Sequence, residues 1–393
     1  MKTPPKSSVP ATAHTAAPAF LATPVMDKLA ARFAQRAAQY DKSGNLPLRN
    51  LADLRKAGFL ARAIPAAYGG NGAGLREIVH ITDRIAQADP STALILVMHY
   101  LHTVSFALSP LWQEPLRSAL FRSIRHEGAL INGLRVEPEL GTPARGGLPA
   151  TAVVRKNGVY RLSGTKIFST GSYALSWALV WARSGGKNPR VGWVLVPMHL
   201  PGIRIEKSWD HIGMRATGSH TVIFDNVALP ADHIAGLTDP AYMPDYAARL
   251  GVWHAVTLGA LYNGIAKAAR TWFTEYLHAR VPANLGRPLS TLPRFQTLVG
   301  EMDALLLTNA ALVEHVTGQD RDGISDSVNA DLTKYITTEN AIAVVEKALA
   351  AIGNPGLSRH QPLERHYRNV LCGRVHTPQG DSVLLHAGRK ALD

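Results

Sequence analysis

The sequence predicts a mainly α-helical protein with a central β domain: an N-terminal helical domain, a β-barrel domain and a C-terminal four-helix bundle. Three observations carry this. Apolar residues recur at three- and four-residue spacing from about Val25 to Arg125, the period of an amphipathic helix. From about Ala129 to Pro230 that period gives way to short segments rich in Val, Ile and aromatic residues, broken by Gly and Pro, as strands require. Beyond Pro230 the helical period returns in long apolar runs. The expected domain limits are 25–128, 129–235 and 236–393, behind a flexible tail over 1–24.

Taken in order, the first stretch is rich in Pro, Ala, Ser and Thr and lacks a continuous apolar core. It reads as a flexible tail, with a weak targeting signal as the minor alternative. MDKLAARFAQRAAQY and LADLRKAGFLA form helices, and Ile64 to Gly72 a glycine-rich turn. LREIVHITDRIAQAD stops at Asp89-Pro90, and STALILVMHYLHTVSFAL starts there with Asp89 or Ser91 as cap. YRLSGTKIFSTG, SWALVWAR, VGWVLVPM and the segment from Ile203 to Leu229 supply strands for a compact β domain. After Pro230 come three long helices and a fourth that closes the chain, joined closely enough for an antiparallel bundle.

Composition narrows the function. With 393 residues the chain can bury a large core, and 46% hydrophobic against 18% charged residues marks a globular protein. The 42 Lys and Arg exceed 29 Asp and Glu, which suits anionic partners. No basic block occurs, so a nucleic-acid arm is not expected. No run reaches the roughly 18 apolar residues of a membrane helix, and no membrane association is expected. Cys372 is the one cysteine, which excludes an intrachain disulfide and suits a reducing, cytoplasmic location. A phosphate loop and a dinucleotide fingerprint are both missing, and strands do not alternate with helices, so a nicotinamide-binding Rossmann domain is not expected.

The C-terminal stretch RNVLCGRVHTPQGDSVLLHAGRKALD carries the densest polar chemistry. Pro378 and Gly380 make the segment from His376 to Asp381 a sharp loop held by helices, which presents His376, Gln379 and Asp381 irregularly. AAYGGNGAG, VEPELGTPARGGLPAT, LSGTKIFSTG, WDHIGMRATGSHTVIFDNVALP, RFQ and AAIGNPGLSRHQPLERHYRN occur in one order and at one set of distances. Together they resemble the acyl-CoA dehydrogenase superfamily of flavoproteins over essentially the whole chain from about Val25.

The resemblance implies a flavin, FAD or FMN, between the β domain and the bundle, in a homodimer or homotetramer. Glu137, Gly141, Thr142, Phe168, Ser169 and Thr170 match family flavin-contact positions. Arg280, Gln296, and Gly353 and Gly356 of the turn after the third bundle helix match positions that act from the partner subunit. Gln379 and Asp381 join the expected cofactor-binding set.

Two family features differ. The catalytic Glu of the dehydrogenases falls on Thr377, which cannot serve as a carboxylate base. The alternative Glu position of a minority branch falls on or beside His254. What the chain offers is His99, Ser169, His254 and His376, a set similar to the reduced-flavin-dependent monooxygenase branch, of dibenzothiophene monooxygenase type. That resemblance implies a two-component monooxygenase fed by a flavin reductase and acting on a small organic substrate. An acyl-CoA dehydrogenase with a non-standard base is the alternative, and a non-catalytic flavoprotein binding nucleic acid a second one.

Overall fold

The computed structural model describes residues 24–139, 147–234 and 236–393. Residues 1–23 of the expected tail, together with Gly141 and Thr142, lie outside the described residues. Helices α1 (Pro24–Ser43), α2 (Leu48–Lys56), α3 (Leu75–Ala88), α4 (Pro90–Leu108) and α5 (Glu114–Arg122) form the first unit. At the α3–α4 junction the Asp89 carboxylate accepts from Ser91 N–H at 3.2 Å, and Pro90 sits in the first turn, where its missing N–H costs nothing. α4 is long and apolar enough to cross a bilayer by length and composition, yet most of it is buried in the fold.

Eight strands follow: β1 (Ile131–Leu134), β2 (Ala152–Lys156), β3 (Val159–Ser169), β4 (Trp177–Ser184), β5 (Val191–Pro197), β6 (Ile203–Glu206), β7 (His220–Leu229) and β8 (Gly236–Thr238). They pair in the order β6-β7-β3-β2-β4-β5-β8, and β1 adds to β4 in parallel. Because β8 pairs with β5, the sheet runs past residue 235, the expected domain limit.

The bundle holds α6 (Ala247–Ala279), α7 (Pro293–Arg321), α8 (Ser327–Ile352), the single turn α9 (Asn354–Leu357), α10 (Leu363–Leu371) and α11 (Gly380–Leu392). α6 and α8 pack closely because Gly259 lies against Thr337: a Cβ there would come within 2.6 Å of its hydroxyl. The closing helix expected from the sequence is two helices, α10 and α11, since Gly373 and Pro378 interrupt it.

One residue ties the three units together. Arg368 on α10 bonds Asp41 on α1 at 2.7 Å, Glu364 one turn back at 2.7 Å, and the carbonyl of Ile212 at 2.7 Å. Its neighbour Asn369 accepts from Met214 N–H at 2.7 Å.

Candidate active site

The site begins at the end of β3. Pairing between β3 and β7 shifts once between Leu162 and Gly164, runs regularly to Lys166, shifts again, and resumes at Ser169 opposite His220. The bulge puts Phe168 at a φ of 56°, a conformation L-residues rarely adopt, and turns its ring outward, 52% exposed. Ser169 turns inward, buried, and its Oγ meets no hydrogen-bond partner among the described residues. Thr170 is committed to the protein: its hydroxyl pairs with Ser219 at 3.0 Å and its carbonyl accepts from Asn132 at 2.9 Å.

Glu137 corrects an expectation. Its buried carboxylate accepts from Lys166 Nζ at 2.6 Å and from the N–H groups of Ala150 and Thr151 at 2.7 and 3.1 Å. The side chain is committed to neutralising an interior lysine and holding the Ala150–Thr151 backbone.

His99 corrects another. It is 1% exposed, its Nε2 bonds the carbonyl of Leu60 at 2.9 Å, and its Nδ1 accepts from Ile131 N–H at 3.2 Å. That pattern puts the proton on Nε2, and burial lowers the pKa to about 4. His99 therefore joins α4 to β1 and does not reach a substrate. His102, one turn on, is less committed: it is half-buried, meets Trp193 edge-on at 5.7 Å, and its Nδ1 has no partner among the described residues. Gly133 makes room for it, since a Cβ there would come within 2.1 Å of the ring.

His254 on α6 and His376 after α10 are also half-buried. Desolvation lowers all three pKa values, to about 3 for His102, about 4 for His254 and about 3 for His376. The charges that add to this are Arg135, Lys334 and the histidines themselves, with no carboxylate among them. Tyr262, eight residues beyond His254 and so on the same side of α6, hydrogen-bonds His376 Nδ1. Burial holds its phenol well above the ordinary pKa, so the phenol stays protonated. Donation to Nδ1 then leaves His376 neutral with Nε2–H free to donate.

Lys334 on α8 holds the loop that carries His376. Its ammonium donates to the carbonyls of Gly373, His376 and Pro378 at 2.8, 2.8 and 2.9 Å. From the sheet side comes Arg135, just past β1, whose guanidinium stands 5.3 Å from the Trp181 ring and 5.7 Å from that of Trp193. Sequence reading missed Lys334, Tyr262 and Arg135. The available signal was a charge or phenol inside an otherwise apolar helical face or strand.

The remaining expected residues lie elsewhere. Gln379 donates to Val375 O at 3.4 Å, and Asp381 accepts from Ser382 N–H at 2.8 Å, both at the start of α11. Arg280 ends α6, about 39 Å along the helix from His254 at 1.5 Å per residue. Gln296 is exposed near the start of α7, Gly353 precedes the α9 turn and Gly356 lies buried within it.

Family models for the acyl-CoA dehydrogenase N-terminal, middle and C-terminal domains match residues 20–108, 136–227 and 256–379. The putative acyl-CoA dehydrogenase YdbM of Bacillus subtilis (strain 168) is 32% identical over 362 residues, 91% of this chain and 93% of YdbM. The amino sugar nitrososynthase DnmZ of Streptomyces peucetius is 27% identical over 357 residues, 85% of this chain and 83% of DnmZ. Among solved structures, FMN-bound TdsC from Paenibacillus sp. A11-2 has the same fold, with a TM-score of 0.81 at 21% identity over 93% of this chain and 95% of TdsC.

Proposed function

This chain belongs to the acyl-CoA dehydrogenase family, and from that premise we propose that it is a two-component flavin monooxygenase. It takes reduced FMN or FAD from a separate reductase and oxygenates a small organic substrate. The observation that carries this is the missing base. Desaturation of an acyl thioester needs a group that accepts the α-proton near neutral pH. Thr377 cannot, and neither of the two positions where the family resemblance places the catalytic carboxylate carries one: they hold Thr377 and His254.

The residues present fit a flavin. An outward aromatic ring at Phe168 and an unpartnered buried hydroxyl at Ser169 suit a flat ligand with a hydrogen-bonding edge. When bound, the flavin supplies the redox and oxygen-activating chemistry. The chain's own part is to offer the Ser169 hydroxyl and His376 Nε2–H as donors and to keep solvent from the cleft with Trp181 and Trp193. Arg280, Gln296, Gly353 and Gly356, remote from His254 within one chain, would act on the cofactor of a partner subunit in a homodimer or homotetramer. The likeness to a nitrososynthase supports this reading. The likeness to a putative acyl-CoA dehydrogenase supports the competing one, desaturation with His254 as base.

The test supplies the protein with a flavin reductase, NADH, isotopically labelled molecular oxygen and a panel of phenols, thiophenes and amines. Label in an oxidised product is the expected result, and His376→Ala lowers its rate by about 10²-fold with flavin affinity unchanged. Equal rates in the variant would remove His376 from the mechanism.

A further inference from the structure

We propose that Arg135 determines substrate specificity, its guanidinium binding the carboxylate or phenolate of a planar anionic substrate between the sheet and α6. This rests on reading the cleft as the substrate site. Several other cations in the molecule have acceptors: Lys166 has Glu137, Arg368 has Asp41 and Glu364, Arg249 has Asp320, and Lys334 has three carbonyls. The Arg135 carbonyl accepts from Lys166 Nζ at 3.3 Å, but its guanidinium forms no hydrogen bond or ion pair among the described residues and stands against the two indole rings.

The surroundings supply no negative charge. His102 and His254 both feel the Arg135 charge and are neutral. The protein packs around Arg135 closely enough for desolvation to lower its pKa, while the side chain stays accessible to solvent. A guanidinium so placed is open to an incoming anion. A carboxylate or phenolate reaching it would accept charge-assisted bonds from the guanidinium fork. The planar shape follows from the walls. Trp181 and Trp193 are register partners on β4 and β5, so both rings stand on one face of the sheet, and His102 closes the side against Trp193.

The experiment titrates the FMN-loaded protein with benzoate and with benzamide, its neutral counterpart, in the absence of reductant, following indole fluorescence and the flavin difference spectrum. Benzoate is expected to bind at least tenfold more tightly than benzamide. Arg135→Met abolishes that preference while the FMN dissociation constant and melting temperature stay at wild-type values. Arg135→Lys, which keeps the charge without the fork, falls between. Equal binding of the two probes, no saturable benzoate binding, or a loss of FMN affinity in Arg135→Met would overturn the proposal, the last by assigning the guanidinium to the flavin. Benzoate binding needs neither oxygen nor a reductase, so this result and the oxygenase reading can fail separately.

Discussion

Ser169 is a buried hydroxyl that hydrogen-bonds nothing among the described residues, and a group left in that state costs about 1–3 kcal/mol. If flavin satisfies it, Ser169→Ala weakens flavin binding by about tenfold, while the flavin-free protein melts no lower than wild type. Calorimetric titration and thermal melting separate the two effects. A lower melting point with unchanged flavin affinity would make the hydroxyl purely structural. At this scale the sequence was partly legible. Ser169, His254 and His376 could be named as candidates from the sequence, but the commitment of His99 could not be read there, because its partners Leu60 and Ile131 lie 39 and 32 residues away. Glu137 was misread for the same reason: its Lys166 partner is 29 residues on, across the sheet.

The element that governs the site is the break between α10 and α11. Gly373 and Pro378 announce it in the sequence, whereas the clamp that shapes it, Lys334, arrives from α8, about forty residues upstream. Lys334→Met leaves three carbonyls without their charged donor, and the expected loss of stability is about 3 kcal/mol or more. Amide exchange then accelerates from Gly373 to Gly380 and turnover falls, because Nε2 of His376 loses its fixed aim. Denaturant titration and hydrogen-exchange mass spectrometry measure both. Unchanged exchange in the loop would deny Lys334 that role. Strand and helix identities were legible from period alone, but the bulge at Phe168 was not, since a register shift depends on the β7 partner rather than on local composition.

For the whole molecule, the helical, sheet and helical order is written in the periodicity, while the Arg368 clamp across all three units joins residues 327 and 156 positions apart and leaves no local mark. The buried histidines set how stability responds to pH. Burial lowers His99, His102, His254, His366 and His376 to about 3 or 4 from the ordinary 6.5. Between those values the unfolded chain binds more protons than the folded one, so stability is full above about pH 6.5 and falls as pH drops. His99 and His366, almost wholly buried, contribute up to about 1.4 kcal/mol per pH unit each. Raised carboxyls at Glu77, Asp89 and Asp331 oppose this and are outnumbered. Melting curves are expected to fall steadily from pH 6.5 to 5, and less so in His366→Leu; a flat profile would contradict the neutral histidines. The central claim is that this fold houses a site without a desaturase base. Its most direct test is anaerobic: mix flavin-loaded protein with acyl-CoAs from short to long chain and follow the flavin's long-wavelength absorbance. The account predicts no bleaching with any of them. Bleaching by an acyl-CoA, abolished in His254→Ala, would contradict it and make the protein a dehydrogenase.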